Sequence, residues 1–274
     1  MKEGIEVTRK AYKAIAVRKK HGIVTLTMNR PEKLNAINAR MEEEFAAALD
    51  EIAADREARV FILTGAGRAF CVGGDIIETA GTSRFGATVA EIASSLRETY
   101  FRTTLALRNL PLPTIAMVNG IASGWGFDLV LACDLKIASE SARFNSAFVK
   151  VGLTPATGGV WLMPRSMGMS KAAELIFTGD FISAEEAGKL GILNKIVPDQ
   201  DLEGETMNLA VRLSDAPPLA LKLAKLQLIK GLTNDFKGAL EAAADYQAVC
   251  LASEDFKEGV LSFQEKRSGK FKGR

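Results

Sequence analysis

Histidine is nearly absent from this sequence: one of 274 residues, His21. A Ser-His-Asp triad or a histidine-built metal site has almost nothing to draw on, and no metal is expected. His21, in a basic stretch before an apolar run, reads as a surface residue. Cysteine is scarce too. Cys71, Cys133 and Cys250 are widely spaced, which fits neither a disulfide framework nor a ligand pattern and leaves core packing as their role. An excess of one charge is also missing, since 35 Lys and Arg face 33 Asp and Glu for a net charge of +2. No overall field points to nucleic acid or to a membrane surface. No apolar run approaches the roughly 18 residues needed to cross a bilayer, and the opening MKEGIEVTRKAYKAIAVRKKHG lacks an export signal's apolar core and cleavage site. A cytoplasmic protein with no membrane partner is expected. Nucleotide loops are absent as well. GAGRAF has Phe70 where G-x-G-x-x-G needs its last glycine, and no G-K-[ST] exists. Ser123 makes no nucleophile elbow, because position 121 is Ile rather than Gly.

What remains is ordinary globular material, 47% hydrophobic and 25% charged, enough for a large core. GIVTLTMN (22–29) alternates like a strand and runs into Arg30-Pro31. MEEEFAAALDEIAA (41–54) opens on acids and repeats apolar residues at helical spacing. VFILTG (60–65), TIAMVN (114–119) and LKIAS (135–139) read as buried strands. Strand, turn and helix thus recur through the first half, which predicts an α/β protein. The second half differs. Segments near 170–177, 183–190, 204–213, 217–231, 237–253 and 256–267 read as helices, so a core over 1–200 and a helical C-terminal region over 201–274 are expected.

Two glycine-rich turns carry the chemical interest. VGGD (72–75) presents backbone N–H groups without side-chain obstruction, and GIASGWG (120–126) does so where a helix begins and its dipole favours negative charge. Two such turns from neighbouring units can donate to one oxygen, which is an oxyanion hole. Asp128 follows in the first turn of the helix GFDLVLACD, whose other residues are mostly apolar.

NRPEKLNAIN (29–38), LTGAGRAFCVGGD (63–75), VNGIASGWGFDLVLACDLKIAS (118–139), FNSAFVKVGLTPATGG (144–159), FTGDFISAEEAGKLGILNKIV (177–197) and GVLSFQEKRSGKF (259–271) together resemble the crotonase, or enoyl-CoA hydratase/isomerase, superfamily. The resemblance covers nearly the whole chain. It implies a crotonase-like spiral of repeated ββα units, a helical C-terminal trimerisation region, and a homo-oligomer, trimer or hexamer. It also implies an acyl-CoA substrate and no cofactor beyond the coenzyme A of that substrate. Gly74 and Trp125 take the places of the oxyanion donors. CoA contacts fall to Lys33, Leu34 and Ala36, and to Phe263 and Lys266, the last two from a neighbouring subunit.

At the family's paired glutamates stand Asp128 and Phe148, so a single acid is left. The acid sites of the family's dienoyl-CoA isomerases and of its ring-opening phenylacetate-pathway isomerase fall on Phe148 and Ala156, again leaving Asp128 alone. Phe127, Trp125, Phe148 and Trp161 are expected to surround that carboxylate, and such desolvation raises basicity. Asp128 is therefore the candidate acid/base. Glu78 is a further candidate for the pocket lining, and Asp75 reads as structural. The implied activity is hydration or isomerisation of an enoyl-CoA. A malonyl-type decarboxylase and a non-catalytic acyl-CoA- or RNA-binding relative are the alternatives. The loop 79–95 reads as mobile, and KRSGKFKGR (266–274), with five basic residues, as a solvated tail within reach of CoA phosphates.

Overall fold

Strand β4 (Val60–Gly65) is buried at every position, because both its faces are covered. Phe61 and Leu63 enter the main core, while Val60 and Ile62 join Ile23, Ile115 and Ala210 in a second cluster behind the sheet. An unbroken apolar run is what such a strand requires. The computed structural model describes residues 6–7, 12–81 and 87–274. Around β4 lie β1 (Glu6–Val7), β2 (Ile15–Lys20), β3 (Ile23–Met28), β6 (Thr114–Val118), β8 (Leu135–Ser139) and β11 (Lys195–Val197), in the sheet order β1-β2-β3-β4-β6-β8-β11. Pairing is parallel from β3 onward, with Leu26 opposite Leu63 and Leu63 opposite Ala116.

A second sheet holds β5 (Ala69–Cys71), β7 (Ile121–Ser123), β9 (Arg143–Asn145) and β10 (Ile182–Ser183), ordered β10-β9-β7-β5. A long strand of the first sheet is followed by a short strand of the second and then helix: β4, β5 and α2 (Ile76–Gly81); β6, β7 and α5 (Trp125–Ala132); β8, β9 and α6 (Gly159–Met167). That repeat is the expected spiral of ββα units. The short strands escape a reading by periodicity, because two or three residues give no period to detect, and β2 ends in the basic run Arg18-Lys19-Lys20 rather than in an apolar alternation.

Helix α1 (Ala39–Ala54) begins at Asn38, whose side chain accepts from the Met41 amide at 3.0 Å. The expected loop 79–95 is a loop only in part. Helix α3 (Val89–Glu98) starts within it, closed by a capping box between Thr88 and Glu91; residues 82–86 lie outside the described residues. Helix α4 (Tyr100–Arg108) follows and packs on α1 and α5.

Beyond α6 come α7 (Met169–Thr178), α8 (Ala184–Lys189), α9 (Leu202–Ser214), α10 (Pro218–Gly231), α11 (Phe236–Leu251) and α12 (Glu254–Gln264). Helix α9 seals the back of the large sheet through Ala210. Helix α10 is pinned by Lys225, whose ammonium lies 2.7 Å from Asp134 and donates to the Leu112 carbonyl at 3.0 Å. Helix α11 buries no residue within the chain, and its Phe236 and Leu240 are exposed.

Candidate active site

The residues expected to matter come from three turns that the backbone ties together. In the first, 30–37, Asn35 is wholly buried and its amide donates to the carbonyls of Ala66, Ala69 and Phe70, while its carbonyl accepts from the Arg30 amide. This one side chain fastens the turn holding Lys33, Leu34 and Ala36 to the loop after β4. The turn then meets Val72-Gly-Gly-Asp75 directly. Val72 donates to Leu34, Ile37 donates to Gly73, and Asp75 donates to Ile37. Lys33 is exposed and Leu34 half-buried at this junction.

The second turn lies against the third. Gly73 has φ +95°, and a Cβ there would stand 3.0 Å from the Ser123 carbonyl oxygen and 3.3 Å from the Trp125 nitrogen. Only glycine lets the two loops approach so closely. Across this contact the amides of Gly74 and Trp125 donate to no acceptor among the described residues. Trp125 opens α5, where unsatisfied N–H groups and the helix dipole favour an anion.

Asp128 sits three residues along, on the face of α5 that carries Trp125. It is wholly buried, and no ion pair among the described residues reaches it. Its Oδ2 accepts from the Thr157 hydroxyl at 2.5 Å, and its buried Oδ1 has no hydrogen-bond partner. Burial pushes the carboxyl up to about 7, although the Thr157 hydroxyl and the nearby Gly159 amide pull the other way. A carboxyl poised there can accept and return a proton near neutral pH.

The aromatic surround is partly as expected. Phe148 stands half-buried over Gly124, its ring 3.7 Å from where a Cβ would lie. The Trp125 indole turns inward, donating to Thr104 Oγ1 at 3.2 Å with its ring 4.7 Å from that of Tyr100. Phe127 requires a correction. It packs the core against Phe144, ring centroids 5.5 Å apart, because neighbouring residues leave a helix on different faces. Trp161 is half-buried on α6, and the Arg165 guanidinium lies 3.9 Å from its ring centre.

Glu78 is exposed on α2 and accepts from Asn38 at 3.0 Å. Asp75 pairs with Arg30 at 3.1 Å and accepts from the Glu78 amide. Partial burial raises its carboxyl, yet the Glu78 amide and Arg30 hold it net below the usual range, as befits a structural acid. Phe263 lies near the end of α12 and Lys266 just beyond it, both exposed, and no hydrogen bond or ion pair among the described residues joins them to the 30–37 turn. The basic tail is not loose. Lys272 and Gly273 amides donate to Asp255, and Arg267 pairs with Glu258, so the chain end folds back over α12.

Sequence reasoning missed Asn35 and Thr157. Asn35 carried a signal, an asparagine inside a turn where its φ is +58°. Thr157 carried none, because its partner is 29 residues away.

A spiral of ββα units with a buried, unpaired acid on the helix that opens beside two glycine turns is an arrangement suited to moving a proton. The family model for enoyl-CoA hydratase/isomerase matches residues 18–274, and the chain belongs to that enzyme family. It is similar to the "Probable enoyl-CoA hydratase" of Rhodobacter capsulatus, 39% identical over 96% of this chain and 100% of that protein. The 1,2-epoxyphenylacetyl-CoA isomerase of Escherichia coli is 37% identical over 92% of this chain and 96% of its own. Among solved structures, the enoyl-CoA hydratase of Bacillus anthracis superposes with a TM-score of 0.89 at 34% identity, over 96% of this chain and 100% of that one.

Proposed function

We propose that the protein hydrates or isomerises an unsaturated acyl-CoA through a thioester enolate, with Asp128 as its acid/base. The observation that carries this reading is a buried carboxyl, raised to about 7, on the helix that begins at a free amide. In this reading the amides of Gly74 and Trp125 grip the thioester oxygen. Asp128 takes a proton from the acyl carbon, the C–H electron pair moves to the thioester oxygen as an enolate, and the proton returns at another carbon. Each well-placed donor lowers the barrier by roughly 3–4 kcal/mol. In this reading Lys33, Leu34 and Ala36 hold the CoA arm, and the hydrogen bonds that join their turn to the Gly73–Gly74 loop support it.

Phe148 favours isomerisation within this pair of reactions. Hydration as the resemblance implies it uses two acids to orient and split water, and a phenyl ring at the second place supplies neither. Returning one proton needs one base. The chemistry requires no cofactor other than the CoA of the substrate. The same reading makes the protein a cytoplasmic homo-oligomer, trimer or hexamer, in which Phe263, 86% exposed, and Lys266 reach a neighbour's substrate.

The test is a panel of 2-enoyl-, 3-enoyl- and cyclic dienoyl-CoA thioesters followed by absorbance and mass. Conversion at unchanged mass supports isomerisation, and gain of one water supports hydration. Loss of CO₂ from methylmalonyl-CoA with no change in the panel would replace this reading by decarboxylation. No change in any thioester would overturn it.

A further inference from the structure

Asp128 is held by one side chain, and that hold is asymmetric. Thr157, 4% exposed, donates its hydroxyl to Oδ2 at 2.5 Å. Oδ1 accepts from nothing among the described residues, although it is buried. Gly159 packs closely beside it, and a Cβ there would stand 2.3 Å from Oδ1, so only glycine leaves the carboxylate room at this position. Threonine and glycine sit in one short stretch, Thr157-Gly158-Gly159, so the turn entering α6 shapes both oxygens of an acid carried by α5.

We propose that Thr157 is a positioning residue for the proton transfer: its hydroxyl pins Oδ2, so that Oδ1 is the oxygen that takes and returns the proton. The role of Thr157 rests on the reading of Asp128 as acid/base. A hydroxyl can donate to a carboxylate, and such a bond to a charged acceptor is shorter and stronger than one between neutral groups. The bond therefore favours the ionised form, which the base must adopt, against a surrounding that disfavours it. It also removes one of the two oxygens from competition and fixes the carboxylate plane by packing rather than by chance.

Among the described residues, no other charged group does this work. The titratable side chains on elements packed against α5 are Cys71 on β5, Tyr100, Arg102 and Arg108 on α4, and Arg165 on α6. Burial pushes the Cys71 thiol up to about 12, so it is neutral. Arg102 pairs with Asp50, and Arg108 and Arg165 lie over Trp161. Among the described residues, Thr157 is the only side chain hydrogen-bonded to Asp128.

The experiment needs no substrate. In the full-length protein, the infrared band of the protonated Asp128 carboxyl, assigned by its absence in D128N, is titrated in wild type, T157V and T157S. Thr157→Val keeps the shape and removes the hydroxyl, and should raise the proton affinity of Asp128 about tenfold, the scale of a hydrogen bond to a charged group. Thr157→Ser should restore the wild-type midpoint. Equal midpoints in wild type and T157V, or a T157S midpoint shifted as far as that of T157V, would overturn the proposal. Thr157→Ala serves the same comparison should the valine variant not fold. Turnover separates this idea from the one beneath it: full activity in D128N removes the acid/base reading, whereas an inactive D128N with an unmoved T157V titration removes only the role of Thr157.

Discussion

Two aspartates stand six residues apart at opposite ends of one helix, and the protein treats them differently. Asp134, just past α5, receives a lysine. Lys225 lies 2.7 Å from its carboxylate, and the Thr114 amide and hydroxyl both donate to it at 2.9 Å. Asp128, in the first turn, is more deeply buried, and among the described residues the Thr157 hydroxyl is the only side chain hydrogen-bonded to it. The fold can bring a cation from a distant helix to a carboxylate, as α10 does for Asp134. It withholds one at Asp128, and the consequence is a carboxyl near 7 rather than a fixed anion. A paired acid stabilises the fold by staying charged; an unpaired buried acid destabilises it, and is kept where chemistry needs a mobile proton.

Removing each carboxyl's special feature should sharpen the contrast. The largest effect is expected at the active end: Asp128→Asn should lower turnover by about 10²–10⁴-fold, the usual scale for a general acid/base, with binding of the thioester kept. Steady-state kinetics beside calorimetric binding check this. The same variant should be more stable than wild type at pH 8. The folded carboxyl titrates at about 7 and the unfolded one near 3.8, so its contribution is complete below about pH 4 and is lost as pH rises to about 7. The penalty above pH 7 is on the order of 4 kcal/mol. Denaturation curves of wild type and D128N should therefore converge at pH 4 and diverge by pH 8; parallel curves would break the comparison.

At the other end the expectation reverses. Lys225→Met should cost about 2–3 kcal/mol of stability, below the full penalty for orphaning a buried charge because the Asp134 side chain keeps 23% exposure. Turnover per folded molecule should not change, which separates a stabilising pair from a working acid. The smallest effect belongs to the exposed pair of Lys189 and Glu185, 2.7 Å apart on α8. Lys189→Ala should shift stability by less than about 0.5 kcal/mol, and added salt should erase the difference.

Much of this was legible in the sequence. The long strands announced themselves by apolar runs, as in VFILTG, and the C-terminal helices by their period. The glycine turns 72–75 and 120–126 and the acid Asp128 in an apolar helix are local signals, whereas the choice of Gly74 and Trp125 within those turns comes from the family resemblance. What stayed hidden depends on distant partners. Phe127 and Phe148 look alike as letters, yet one faces the β9 core and the other covers Gly124, a matter of helix phase and of where β9 ends. The tail 266–274 reads as solvated by its charge, and it is mostly exposed, yet charge alone could not show that Asp255 gathers the Lys272 and Gly273 amides. Thr157 was invisible because the group it serves is fixed by packing between α5 and α6, not by spacing.

The central claim is that Asp128 moves the proton while the amides of residues 74 and 125 hold the developing charge. Its most direct test is hydrogen exchange in heavy water, with the acyl-CoA that the panel identifies as substrate, read by mass spectrometry under conditions where no net product forms. The account predicts deuterium appearing at the carbon that loses its proton in wild type, and exchange slowed at least about 10²-fold in D128N. Exchange in D128N at the wild-type rate would contradict it.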